Sequence, residues 1–363
     1  MQTMDSHVNP EQPRKSLLFF APERKDAAIL EAYDIYLHHL THSKRFDITI
    51  MAPNGSPFAE DARSMGYNMY PVSDFSRKLL QRTPQLWPIL TATRRFRFDF
   101  AISHEAFACR GLGQIARKVI GVCHDDMLDG FKHANRLVTL TSSVSEEAEH
   151  LFEGEVPVDV MPYPYETQFS EIKPLPSAED TPLTIGTSGP FEEGDGLGTF
   201  LHAAQLLHQS CPDVKFVIAG QGPLEHELKE LADHIAPFVE FMGPMDAAEM
   251  AEAFDLYCLA AANAPYSFSL CQMMDAGIAC VSTCASGPMD ILKGGMVAPL
   301  VPIGDAFLLA VKLQELLEDR PQIDRIKQAC FERIREEDFS PRIFEEKLIS
   351  LFGMEQKASS RID

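Results

Sequence analysis

The sequence predicts an α/β protein made of two Rossmann-like, doubly wound domains in tandem, and three observations predict it. In both halves short apolar runs alternate with segments of helical period, the pattern of a parallel sheet with crossover helices. Between the halves the alternation stops at a polar stretch, Glu171–Pro182, that carries three prolines. The chain of 363 residues, 45% hydrophobic, holds apolar material for two ordinary cores.

In the first half the apolar runs Ser16–Ala21, Phe46–Ala52, Phe98–Ser103, Val119–His124 and Leu137–Thr141 read as strands. Asp26–His42 places Ile29, Leu30, Tyr33, Tyr36 and Leu40 at helical spacing and reads as the first helix. Ser142–Phe152 reads as a helix with a capping serine. The second half restarts with strand Leu183–Thr187, helix Leu197–Gln209, strand Val214–Ala219 and helix Pro223–His234. Strand Val239–Gly243, helix Asp246–Ala253, strand Leu256–Ala260, helix Phe268–Ala276 and strand Ile278–Thr283 follow. Phe339–Phe352 opens on a Ser-Pro start signal and reads as a last helix. The resulting division is a disordered tail over 1–15, a domain over 16–170, a linker over 171–182, a domain over 183–338, and a helix with tail over 339–363.

Composition excludes several classes. No apolar run reaches the roughly 18 residues a membrane helix needs. The first fifteen residues are polar and lack the apolar stretch of a secretory signal. The eight cysteines are scattered without a C-x-x-C pair, which fits reduced thiols in a cytoplasmic protein and argues against a zinc site. His38, His39 and His42 ride the first helix and show no metal-ligand spacing. A formal charge of -21 opposes non-specific nucleic-acid binding, which rests on cations displacing phosphate counterions.

The second half resembles the donor domain of the retaining family-4 type glycosyltransferases, the glycosyl transferases group 1. The segments that carry the likeness are DGLGTFLHAAQLL (from Asp195), VKFVIAGQGPLEHEL (from Val214), VEFMGPMDAAEMAEAFDLYCL (from Val239), APYSFSLCQMMDAGIACVST (from Ala264) and SGPMDIL (from Ser286). In the first half FDFAISHEA, VIGVCH and VDVMPYPYE occupy places of family strands more weakly. The resemblance implies a GT-B fold, two Rossmann-like domains facing a central cleft. It also implies a glycosyltransferase that moves a sugar from a UDP- or GDP-sugar to a saccharide or lipid-linked acceptor in cell-surface polysaccharide assembly, with no further cofactor. Members of this type are thought to leave base duty to the donor's own phosphate, so the protein positions the partners and stabilises the leaving diphosphate.

Departures from the family pattern are concentrated at the donor site. Asp195 stands where the family has a lysine, and Gly186–Pro190 supplies no arginine. Ala264 and Gln272 replace the E-x7-E glutamates, and Ala27 and Ala28 replace a glycine pair. These changes keep a second reading open, a catalytically silent GT-B scaffold that binds a sugar or a partner. A UDP-sugar epimerase is a third, without an acidic pair placed for proton abstraction.

The candidate donor residues are Gly220, Gly222 and Pro223 of the G-x-G-P turn, with Ser267, Phe268, Ser269 and Leu270 at a helix start whose amides suit phosphate. Gln272 is placed for ribose hydroxyls, and ordinary helix capping is the plainer reading of the serines. Arg24 and Lys25 follow the first strand and either supply the missing cations or form a solvated pair. His124, where the family keeps a histidine near the donor sugar, and Asp125 beside it are the candidate catalytic residues; His104 is a weaker one. Residues 77–97 carry six basic residues, no acidic one and the single tryptophan, Trp87. They read either as a peripheral contact with the inner face of an anionic membrane or, with Pro84 and Pro88 interrupting them, as a crossover segment with a wet basic side.

Overall fold

The computed structural model describes residues 13–22, 27–91, 93–176 and 182–354. The chain divides into two compact units: the first runs through Tyr163 and resumes at Pro341, and the second is the continuous stretch Pro164–Ser340.

The first unit is a parallel sheet of β1 (Lys15–Phe20), β2 (Phe46–Pro53), β3 (Asn68–Val72), β4 (Phe98–Ser103), β5 (Ala116–Cys123), β6 (Arg136–Thr139) and β7 (Val158–Val160), in the order β3-β2-β1-β4-β5-β6-β7. Successive strand residues face opposite sides, and Leu17, Leu18, Phe19 and Phe20 are all fully buried, so both faces of β1 are covered. The helix Ala27–His42 buries Tyr33, Tyr36 and Leu40. The last helix, Pro341–Leu351, returns to this unit: Phe344 meets Tyr36 edge-on at 5.4 Å, and His42 Nδ1 donates to Glu345 Oε2 at 2.7 Å.

The second unit repeats the plan with β8 (Thr184–Gly189), β9 (Lys215–Gly220), β10 (Val239–Gly243), β11 (Leu256–Leu259), β12 (Ala279–Thr283) and β13 (Leu300–Val301), ordered β10-β9-β8-β11-β12-β13. In each sheet the strand order reverses beside the first strand, and ligands of open α/β sheets bind at the carboxyl ends there. Two strands escape the sequence reading, β3 and β13, and each lies at a sheet edge; β7 falls where VDVMPYPYE resembles a family strand. An edge strand needs no apolar alternation, and β3 even carries Pro71.

The linker expected over Glu171–Pro182 is not a free connection. The chain leaves the first unit at Tyr163, and the segment up to Pro176 is strapped onto the second; 177–181 lie outside the described residues. Lys173 Nζ donates to the carbonyls of Glu252 and Phe254, both at 2.8 Å, and Arg320 Nη1 to the Pro176 carbonyl at 2.9 Å. At the centre sits Asp275, fully buried at the end of the helix Phe268–Asp275. Its carboxylate accepts from Gln168 N at 2.6 Å, Phe169 N at 3.3 Å, Tyr165 Oη at 3.4 Å and Arg335 Nη2 at 2.7 Å. Removing one partner of such a buried pair strands the other. Asp275→Ala is therefore expected to cost about 3–5 kcal/mol, seen as an earlier urea midpoint by far-ultraviolet circular dichroism; an unmoved midpoint would deny the clasp its role.

Candidate functional site

In the second unit the tips of β8, β9 and β11 meet backbone to backbone. A Cβ on Gly220, whose φ is +127°, would stand 2.0 Å from the Gly189 carbonyl oxygen, and one on Gly222 would stand 1.7 Å from that of Pro190. The G-x-G-P glycines thus spend their missing side chains on close approach of two loops, with Pro223 exposed at the rim. The carbonyl of Gly194 accepts from Ala262 N at 2.8 Å, which ties the loop after β8 to the end of β11. Asp195 closes the same loop: its carboxylate accepts from Glu192 N at 3.1 Å and Leu197 N at 2.9 Å, at the start of the helix Leu197–Ser210. Burial raises its pKa. Where the family resemblance implies a cation, the fold places a carboxylate satisfied by amides.

Ser267 caps the helix Phe268–Asp275, accepting from Leu270 N at 3.2 Å. Its Oγ lies 3.2 Å from Ser269 Oγ, which accepts from the buried Tyr257 hydroxyl at 2.8 Å. Tyr257 also meets Ser188 Oγ, on β8, at 3.0 Å. The segment Ser188–Phe191 therefore touches both predicted donor groups, the G-x-G-P turn and, through Tyr257, the serines of the helix start. Gln272 is half-buried one turn further along that helix, and Phe268 is half-buried beside Ser267. Neither Tyr257 nor Ser188 was singled out from the sequence. A tyrosine inside an otherwise apolar strand, LYCL, is the signal that was there to read.

In the first unit His104 and His124 follow adjacent strands, β4 and β5, and their rings stack with centroids 4.8 Å apart. His104 Nδ1 is 2.6 Å from His124 Nε2, and His124 Nδ1 is hydrogen-bonded to the Tyr163 hydroxyl. Both nitrogens of His124 are thus occupied by protein. Asp125 does not orient this ring: it is exposed, and its carboxylate accepts from Met127 N at 2.9 Å within the turn after β5. His104 is the more buried partner, edge-on to Tyr33 and Tyr36 at 4.9 Å each, and its Nε2 has no hydrogen-bond partner. Burial lowers the His124 pKa to about 4 and, with His124 beside it, holds His104 well below the usual histidine value. The pair is neutral, and a neutral imidazole with both nitrogens engaged serves as a fixed wall rather than as a base.

The remaining candidates are scattered. Arg24 and Lys25 lie outside the described residues. Trp87 is core rather than interface, buried and donating from Nε1 to Ser76 Oγ at 2.9 Å. The helix Asp74–Arg82 instead exposes Phe75, Lys78 and Arg82. Among the described residues no group of three or more His, Cys, Asp or Glu side chains is arranged to hold a metal ion, and no helix is long and apolar enough to cross a membrane.

The neutral pair fixes a sign for pH dependence. Between about pH 6.5 and pH 4 the unfolded chain takes up protons on these imidazoles that the folded chain refuses. Their contribution is complete above the unfolded pKa and is lost as pH falls through that window, at a slope approaching about 1.4 kcal/mol per pH unit for each ring. Urea midpoints followed through Trp87 fluorescence should fall faster with acid in the native chain than in His104→Phe/His124→Phe. Equal slopes would contradict the neutral assignment.

Comparison with known proteins agrees with this geometry. Residues 182–319 match the family model described as Glycosyl transferases group 1. A phosphatidyl-myo-inositol mannosyltransferase of Mycolicibacterium smegmatis is 31% identical over 162 residues, 43% of this chain and 42% of that protein. An N-acetyl-alpha-D-glucosaminyl L-malate synthase of Bacillus anthracis is 27% identical over 132 residues, 34% and 35% of the two chains. The chain thus spans less than half the length of the curated relatives it matches. The crystal structure of Anabaena Alr3699/HepE in complex with UDP superposes with a TM-score of 0.74 at 15% identity, over 93% of this chain and 99% of that one. The second unit is thus similar in sequence to the glycosyl transferases group 1, and the two parallel sheets share the fold of that UDP-bound neighbour.

Proposed function

We propose that the chain transfers a sugar from a nucleotide-sugar to a saccharide or glycolipid acceptor, as a step in cell-surface polysaccharide assembly. The observation that carries this reading is the match of residues 182–319 to group 1, which coincides with the strand tips where the turn at Gly220, Gly222 and Pro223 meets Ser188–Phe191. The diphosphate lies against this turn and the helix start at Ser267, Phe268, Ser269 and Leu270, with Gln272 on the ribose and Arg24 and Lys25 as cations. Donor chemistry of this kind is supported by the neighbour solved with UDP, and a glycolipid acceptor by the mannosyltransferase relative. His124 works as a neutral ring held at both nitrogens, and Asp125, exposed, takes acceptor hydroxyls. Phe75, 69% exposed and followed on the same helix by Lys78 and Arg82, fits peripheral contact with an anionic membrane.

One observation favours the scaffold reading. The Asp195 carboxylate accepts from Leu197 N and sets a negative charge at the start of Leu197–Ser210, which weakens the positive potential that helix end offers a diphosphate. Because electrostatic stabilisation is usually the largest catalytic contribution, a site without its cations would bind weakly and turn over slowly. A thermal-shift screen with UDP, GDP, ADP, CMP and their sugar conjugates separates the two. One nucleotide family should raise the melting temperature, since a ligand that binds only the folded state stabilises it. Charge reversal of Arg24 and Lys25 should then weaken that binding more than about tenfold, or about 1.4 kcal/mol. No shift with any nucleotide would leave the scaffold.

A further inference from the structure

Four hydroxyls in the second unit form a chain that ends with one hydrogen unspent. Ser188, Tyr257, Ser269 and Ser267 are joined by contacts of 3.0, 2.8 and 3.2 Å. Each hydroxyl owns one hydrogen, so the three contacts use three of the four. Direction follows from the middle of the chain. Tyr257 donates to Ser269, so its contact with Ser188 is made by the serine hydrogen. Ser267, already accepting from Leu270 N, shares its remaining contact with Ser269. Tyr257 is fully buried and Ser267 is 8% exposed, whereas Ser269 is half-buried; when Ser267 gives its hydrogen to Ser269, the surplus hydrogen is the one on Ser269.

This arrangement is built across three elements. Ser188 belongs to β8, Tyr257 to β11, and the two serines to the start of the next helix. A phenol completely removed from water is costly unless its hydrogen bonds are made. Tyr257 makes two, both to side chains rather than to the backbone that would satisfy a purely structural tyrosine. At its other end Ser188 adjoins Gly189, which lies against Asp195, where the resemblance implies a lysine.

We propose that Tyr257 is a positioning residue for the donor. With Ser267 donating to it as well, Ser269 accepts twice from within, and its own hydroxyl is left to donate outward, to a phosphate oxygen of the nucleotide-sugar. The inference rests on the nucleotide-sugar reading above, and it adds to that site a phosphate contact set by hydroxyl direction.

Calorimetric titration of the full chain with UDP and with GDP tests it, using Tyr257→Phe, Ser269→Ala and the double variant. For whichever nucleotide the native chain binds, each single variant should weaken binding roughly tenfold, the effect of one hydrogen bond to a charged group. The double variant should be no weaker than either single one, because both break the same contact. A merely structural tyrosine would instead give losses that multiply. Native-like affinity in Ser269→Ala, which sits at a half-buried helix start and does not depend on Tyr257→Phe folding, would overturn the proposal. Absence of binding by the native chain to either nucleotide would overturn the nucleotide-sugar reading and this inference with it. Retained binding in the variants would overturn only the inference.

Discussion

Main chain pressed directly against main chain at the tips of β8 and β9 is the constraint on which the second unit depends. The carbonyls of Gly189 and Pro190 come so near to Gly220 and Gly222 that no side chain fits between them. This contact fixes where the loop after β8 turns, and so where Asp195 lands and how the helix Leu197–Ser210 begins. It also fixes Ser188 beneath Tyr257, which hands the geometry on to the next helix. Interiors packed this densely do not yield continuously, so a loop held in this way keeps one position.

The two units place neutral, hydrogen-bonding groups at their strand tips, in a chain of formal charge -21. At the strand tips of the first unit a neutral imidazole pair ends on a phenol; at those of the second, hydroxyls run in series. Hydrogen-bonded neutral groups carry little desolvation cost where their contacts are made, as they are for all but His104 Nε2. The ion pairs Lys173–Asp255 and Arg335–Asp275 lie instead where the second unit holds the incoming segment.

Much of the fold was legible because buried parallel strands announce themselves as apolar runs. Phe98–Ser103 and Val239–Gly243 were bounded to the residue, and the helix at Phe268 was found from its capping serine. β3 and β13 were not legible, being short and half wet, whereas the edge strand β10 was read because Val239, Phe241 and Gly243 keep an inward alternation. At the site, periodicity located the strand ends but not what joins them. His124 was visible as a histidine after a strand; that Tyr163, far along the chain, would hold its ring depends on tertiary packing. Asp275 stood in plain view as a charge within MMDAGIACV, yet its partner Arg335 is sixty positions away.

The return of Pro341–Leu351 to the first unit has a consequence for biosynthesis. The second unit is one uninterrupted stretch and is complete in the growing chain before that helix is made. The first unit, although its strands emerge earlier, lacks the cover that Phe344 and Glu345 give to Tyr36 and His42 until the ribosome reaches the last helix. Domains generally mature in the order of their synthesis. Here the half that emerges first gains the contacts of its last helix only after the second unit has been synthesised.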